Sequence, residues 1–170
     1  MSLEIKKVSE LSRQDVSKFK THMYLFMRPD DEREILATSN ADNLEDYLES
    51  FDLVMDACGG LGFVGYWNGA PVGAGGIFPL WPGVGSIWMI ATTNWRTVAN
   101  PVTKYAKRKL IPDAWKQGFH RLEARSIEGH NTAHRWMMFL GAKDEARLRN
   151  YGKEGQDFIV FSWHPPVGEK

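Results

Sequence analysis

The spacing of apolar and polar positions changes several times along the chain, and each change marks an element. Leu3 to Val8 alternates apolar with polar and predicts a first strand. Ser12 then reads as an N-cap, with Asp15 three residues on. Val16, Phe19, Met23 and Phe26 recur at spacings of three and four, which predicts a helix with one apolar face. Arg28-Pro29-Asp30-Asp31 breaks that pattern. Asp42 with Glu45 resembles a second capping box. Leu44, Tyr47, Leu48, Phe51 and Met55 form the stripe of a second helix, stopped at Gly59-Gly60.

The middle of the chain reads as β. Phe63 to Trp67 and Ala70 to Phe78 flank Asn68-Gly69, a strong hairpin signal. Gly73, Gly75 and Gly76 in the second arm predict a bulge or a close backbone approach. Trp81-Pro82-Gly83 turns the chain into Ser86 to Ala91, whose near-continuous apolar run suits a central strand. Asn100 can cap a helix whose first residue is Pro101. Val102, Ala106, Leu110 and Ala114 mark its buried stripe, Pro112 should kink or divide it, and Gly118 ends it. Arg121 to Ile127 alternates again. A short helix after Asn131 buries Ala133, Trp136 or Met137, and Leu140. Two last strands, around Ala146 to Tyr151 and Asp157 to Trp163, join through Gly152-Lys153-Glu154-Gly155, and the final residues are expected to fray. The string β-α-α-β-β-β-α-β-α-β-β predicts an α+β protein. It is read as one domain over residues 1–170, with a mixed central sheet of about six or seven strands and helices on both faces.

Composition narrows the classes. Basic and acidic residues number 21 each, so no net charge draws the chain to nucleic acid or to a membrane surface. The single cysteine, Cys58, excludes an intrachain disulfide and fits a reducing compartment. No apolar run is long enough to cross a bilayer, and the first residues lack the apolar core of a secretion signal, so a soluble intracellular protein is expected. Seven Trp residues are many for this length. Trp81 and Trp95 fall in turn-like segments, where a ring is as readily exposed for docking as tucked in.

Strand, polar turn with Arg96, basic helix, strand Arg121 to Ile127, Asn131, short helix and Leu140-Gly141-Ala142 resemble, in that order, the acyl-CoA-binding half of the GNAT family of N-acetyltransferases. The resemblance is best from about Leu61 to Trp163. It implies that acetyl-CoA lies between the strands Ser86–Ala91 and Arg121–Ile127, and that amides opening the basic helix hold its pyrophosphate, as orphan donors and the helix dipole favour. It assigns Ile90, Ala91, Arg96, Ala99, Asn100, Val102, Thr103 and Asn131 to cofactor binding. The chain also departs from the family. Ala99 replaces a Gly of the phosphate loop, Pro101 removes one donor, and Met137 stands where a Tyr commonly protonates the leaving thiolate. No carboxylate lies in Ser86 to Ala91, where a general base often sits.

A narrower resemblance covers roughly Ser86 to His164. Trp88 to Thr93, the helix with Lys107-Arg108-Lys109, Asn131 to His134 and Phe139 to Ala142 are similar to GNAT-like internal virion proteins of short-tailed phages of the T-seven type. This implies a phage-encoded protein of the host bacterial cytoplasm, with packaging in the virion and phage proteins as partners an alternative to enzymatic use. If active, it would pass the acetyl group directly to an amine, with Glu123 or His134 taking the proton. His130 and His134 stand four apart. A metal pair is one reading of them, but no third ligand has metal-like spacing, and a capping His with a surface His is the favoured one. Lys104, Lys107, Arg108, Lys109, Arg121, Arg125 and Arg135 read first as a solvated face and second as a cradle for the CoA 3′-phosphate. Cys58 reads as a small buried hydrophobe.

Overall fold

A computed structural model describes residues 3–166, so the expected fraying of the last residues lies outside the described part. The elements are β1 (Leu3–Lys7), α1 (Arg13–Phe26), α2 (Pro29–Ala37), α3 (Leu44–Glu49), α4 (Phe51–Ala57), β2 (Gly62–Trp67), β3 (Ala70–Trp81), β4 (Val84–Ala91), α5 (Trp95–Tyr105), α6 (Ile111–Lys116), β5 (Arg121–Ile127), α7 (Asn131–Phe139), β6 (Lys143–Leu148) and β7 (Phe158–Trp163). One seven-stranded sheet runs β1-β2-β3-β4-β5-β7-β6. Every neighbouring pair is antiparallel except β4 and β5. The expected α+β architecture, a mixed sheet with helices on both faces, is what the chain adopts.

Each face of the sheet carries its own core. On one side Phe19, Met23, Leu48, Phe51 and Met55 from α1, α3 and α4 pack on Val64, Tyr66, Ala74 and Ile90. On the other, Trp95, Val98, Val102, Ala114 and Met137 from α5, α6 and α7 pack on Phe63, Leu122, Phe161 and Trp163. Burial of these apolar side chains is the main force holding the layers together.

Three helical expectations are corrected. Pro29 does not merely break α1. It occupies the start of α2, where its missing N–H costs nothing, and Asp30, Asp31 and Glu32 follow at the positive end of the helix dipole. The second expected helix is divided at Ser50, and the cap of its first half is Asn43, whose side chain accepts from the Asp46 amide. The basic helix opens at Trp95, after Asn94, rather than at Asn100, so Asn100 and Pro101 lie in its interior. Burial of Trp95 and Val98 favours the longer helix. A five-residue π turn, Ala106–Leu110, then precedes Pro112, and the chain stays helical through it. A wider turn there eases the clash of the proline ring with the carbonyls behind it. The expected strand Ala146–Tyr151 begins earlier, at Lys143, and ends at Leu148.

The glycines of β3 allow a close strand approach. A Cβ on Gly73 would stand 2.7 Å from the Ile90 carbonyl oxygen, and one on Gly75 would stand 2.9 Å from that of Trp88. Gly73→Ala should therefore destabilise the fold by about 1–3 kcal/mol, because backbone rather than a flexible side chain must move. A denaturation midpoint equal to that of the wild type would contradict this packing.

Candidate functional site

The parallel ladder between β4 and β5 is short. Val84 pairs with Arg121, Gly85 with Leu122 and Ser86 with Glu123, and there the pairing ends. Past that point β4 stays on β3 as far as Ala91, and β5 stays on β7 as far as Ile127. The two strands diverge, and a cavity of about 420 Å³ occupies the gap. Its walls come from β4, β5, α2, α5 and α7, including Trp88, Met89, Ser126, Trp95, Trp136 and Met137. Neither Trp88 nor Met137 plugs the slot. The Trp88 ring sits edge-on to Phe51 with centroids 5.4 Å apart, and its Nε1–H donates to Cys58 Sγ at 3.1 Å. Met137 forms part of the wall.

Helix α2 closes the far end of the gap with two carboxylates one turn apart. Asp31 Oδ2 accepts the Ala91 amide of β4 at 2.7 Å. Glu34 Oε2 accepts the Ile127 amide of β5 at 2.8 Å and the Ser126 hydroxyl at 2.5 Å. His130, 2% exposed, lies between them, with Nδ1 3.1 Å from Glu34 and Nε2 3.5 Å from Asp31. Arg28 clamps Asp31 through both carboxylate oxygens, at 2.9 and 2.7 Å, and stacks over the Trp95 ring. Burial is the largest influence on Asp31 and pushes its pKa up, against the opposing pull of Arg28, the Ala91 amide and His130. The backbone amides that the diverging strands turn toward the gap at these two positions are thus satisfied by one helix.

The sequence-nominated residues divide. Glu123 is at the last paired position, and its carboxylate is taken by Arg121 at 3.1 Å and Arg125 at 2.6 Å, outside the slot. That arrangement makes it a structural ion pair. His134 is buried rather than at the surface. Its Nε2 stands 3.1 Å from Ser126 Oγ, and its ring packs against Phe161. The Ser126 hydrogen goes to Glu34, so His134 Nε2 is the donor in that contact. Burial lowers the His134 pKa, with the Glu34 charge opposing. His130 precedes α7 but makes no side-chain cap bond.

Among the proposed cofactor residues, Ile90 lines the slot, and Asn131 is exposed at the start of α7. Ala91 has both backbone groups engaged, its N–H on Asp31 and its carbonyl accepting from the Arg28 amide at 2.9 Å. Arg96 is exposed in the first turn of α5. Ala99, Asn100, Val102 and Thr103 lie further along the helix, so their amides do not form its open end. The Thr103 hydroxyl instead donates to Ala99 O at 2.5 Å and accepts from Trp136 Nε1 at 2.8 Å, joining α5 to α7. Two first-turn amides are already used: Trp95 donates to Thr92 O and Thr97 to Asn94 O. Sequence reasoning missed Arg28, Asp31 and Glu34. The available signal was Pro29 followed by three acidic residues, a helix start that was read only as a helix end.

Removing Arg28 should expose the cost of burying Asp31. Arg28→Met is expected to destabilise by about 3–5 kcal/mol near neutral pH, where the charge is left uncompensated. A raised folded-state pKa on an acid means that the linked stability is present in acid and lost as pH rises through that pKa. The penalty relative to wild type should therefore shrink as pH falls and Asp31 takes up its proton. Chemical denaturation at several pH values measures it, and a penalty that grew on acidification would contradict the assignment.

No protein-family profile matches the sequence, and no curated protein matches it either. Solved structures do match in shape. YncA of Salmonella typhimurium, solved with its cofactor acetyl-CoA, superposes with a TM-score of 0.71 at 14% identity, covering 100% of this chain and 98% of that one. The ribosomal-protein-alanine N-acetyltransferase of Brucella melitensis gives 0.67 at 17% identity over 95% of this chain and 99% of the other. An N-acetyltransferase of Staphylococcus aureus gives 0.65 at 15% identity over 96% and 99%. The similarity covers 95–100% of this chain in these structures, and the fold is that of the GNAT acetyltransferases.

Proposed function

We propose that the protein is an acyl-CoA-dependent N-acyltransferase, with acetyl-CoA the simplest donor. The observation that carries this reading is the preformed slot between two parallel strands, with the start of α5 and the α2 carboxylates both at the open end where β4 and β5 finish. The residues present suit the cofactor unevenly. The slot has the narrow, largely apolar lining that a pantetheine arm needs. The phosphate end is weaker, since the stretch that is a glycine loop in the family is helical here and two of its first amides are engaged. Arg96 remains at that end as a cation for the phosphates. Pro101, being in the helix interior, removes none of the first-turn amides.

In this reading the amine nitrogen bonds to the thioester carbon, the carbon–sulfur bond breaks, and the amine proton leaves to a base while the thiolate receives one. The base is Glu34, with His130 bound to it, rather than Glu123 or His134. Glu34 Oε2 is saturated with donors, while Oε1 takes none among the described residues and the side chain lines the slot. Tyr47 also lines the slot, and burial pushes its pKa to about 12, so it stays protonated at neutral pH and stands as proton donor where Met137 offers none.

A second reading, a non-catalytic virion or assembly protein of a short-tailed phage, draws on exposed apolar residues. Tyr24, Leu25 and Phe26 are about half exposed at the end of α1, and Trp81 is 56% exposed. Its signature is a stable partner complex without acyl-CoA affinity. Among the described residues, no helix is long and apolar enough to cross a membrane.

Two measurements test the enzyme reading. Acetyl-CoA should raise the melting temperature, by an amount equivalent to about 2.7 kcal/mol at a hundredfold excess over Kd. Absence of any shift at millimolar acetyl-CoA would remove acetyl-CoA as the donor. Glu34→Gln, which keeps an oxygen for the Ile127 amide, should lower kcat by about 10²–10⁴ with KM and melting temperature little changed. An unaltered kcat would remove Glu34 from the base role.

A further inference from the structure

The slot does not stop between the strands. Phe63, Ala106, Leu110, Met137, Leu140 and Trp163 all line the cavity, and all belong to the core beneath the α5–α7 face. The cavity therefore passes through the gap and continues into an apolar chamber under the sheet, next to the branch where β4 and β5 part. Two features keep that chamber open. Ala106 and Ala124 present only methyl groups to it. The helix segment along it, Ala106–Leu110, is a π turn, which is wider than an α turn and often accompanies a functional site. An acetyl group, with one methyl beyond the carbonyl, has no use for such a space.

The chamber also contains one unsatisfied polar group. Trp163 is 4% exposed, and its Nε1–H finds no acceptor among the described residues. A buried indole N–H is a donor only, and buried donors are normally paired. Trp163 lies opposite Leu122 on β5, and Leu122 lies opposite Gly85 on β4, so the indole is two strands from the branch point. A wholly hydrocarbon occupant would leave this donor unpaired. An acyl group brings both parts that the chamber lacks: a chain to fill it and a carbonyl oxygen to accept.

We propose that the donor acyl group is longer than acetyl, that its chain occupies the chamber beneath β4 and β5, and that Trp163 Nε1–H donates to an oxygen of that acyl group. This rests on the acyltransferase reading and specifies its donor.

The test is equilibrium binding by calorimetry and thermal shift, using CoA, acetyl-CoA, butanoyl-CoA and hexanoyl-CoA with the wild type, Ala124→Leu and Trp163→Phe. Each methylene that becomes buried is worth roughly fourfold in affinity, so hexanoyl-CoA should bind at least about tenfold tighter than acetyl-CoA. Ala124→Leu, which fills the chamber, should abolish that ratio while leaving CoA binding unchanged. Trp163→Phe keeps the apolar ring and removes the donor. It should weaken every acyl-CoA about fivefold to tenfold, as loss of one hydrogen bond does, and leave CoA itself unaffected. Equal affinities for acetyl- and hexanoyl-CoA would overturn the chain assignment. An equal loss for CoA and acyl-CoA in Trp163→Phe would overturn the hydrogen bond. Failure of all four ligands to bind would instead overturn the acyltransferase reading on which the proposal stands.

Discussion

The site depends on how two backbone amides at the ends of diverging strands are satisfied. A parallel pair that parts after three residues gives up the ladder bonds that would have followed. In a buried gap each lost partner has to be replaced. Here α2 supplies the replacements from a single helical turn, Asp31 for Ala91 and Glu34 for Ile127, and His130 lies between the two acids. The gap is therefore held open by the protein's own groups. The slot is preformed, so a ligand entering it does not have to part the strands.

That arrangement concentrates charge where water is scarce. Two carboxylates within one turn of a helix repel, and Asp31 is almost fully buried. Arg28 offsets part of the cost with a bidentate clamp, and its amide also binds the Ala91 carbonyl, so residues 28 and 31 together tie off the end of β4. The Met27–Thr92 bridge continues the same seam. Stability and site geometry are thus coupled. The side chains that brace the open end of the sheet are the ones that face the cavity, so a replacement that removes a bracing oxygen changes both roles at once.

The sheet was largely readable from the chain because its signals are local. Asn68 and Gly69 adopt positive φ at the hairpin, 51° and 75°, as their chemistry predicts. Ser12 and Asp15 form the reciprocal cap that their spacing announced. Where two local signals competed, the sequence misled. Pro29 can end one helix or begin the next, and it does both. Asn100 has the chemistry of a cap, but the helix starts earlier at the buried Trp95, whose ring meets Trp136 edge to face at 5.3 Å. That contact joins residues 41 positions apart and leaves no trace in a local pattern. The site was legible only in outline. The slot between β4 and β5 was implied by the family resemblance alone. The trio Asp31, Glu34 and His130 was not legible, because nothing near residue 31 marks a partner near residue 130.

The two family departures that weighed most against activity do not weigh equally once placed. Pro101 lies in the helix interior, so it takes nothing from the anion-facing turn. Met137 is a slot wall, and its thioether cannot supply a proton. The phosphate end is the weaker half for another reason: α5 is already helical from Trp95, and a formed helix offers an anion fewer amides than an open glycine loop does. If donor recognition cannot lean on the phosphates, it has to come from the slot. A slot with a largely apolar lining rewards surface area, and area along the donor is gained by lengthening its acyl chain. The weak phosphate end and the deep chamber thus favour the same kind of donor, one recognised more by its acyl portion than by its nucleotide.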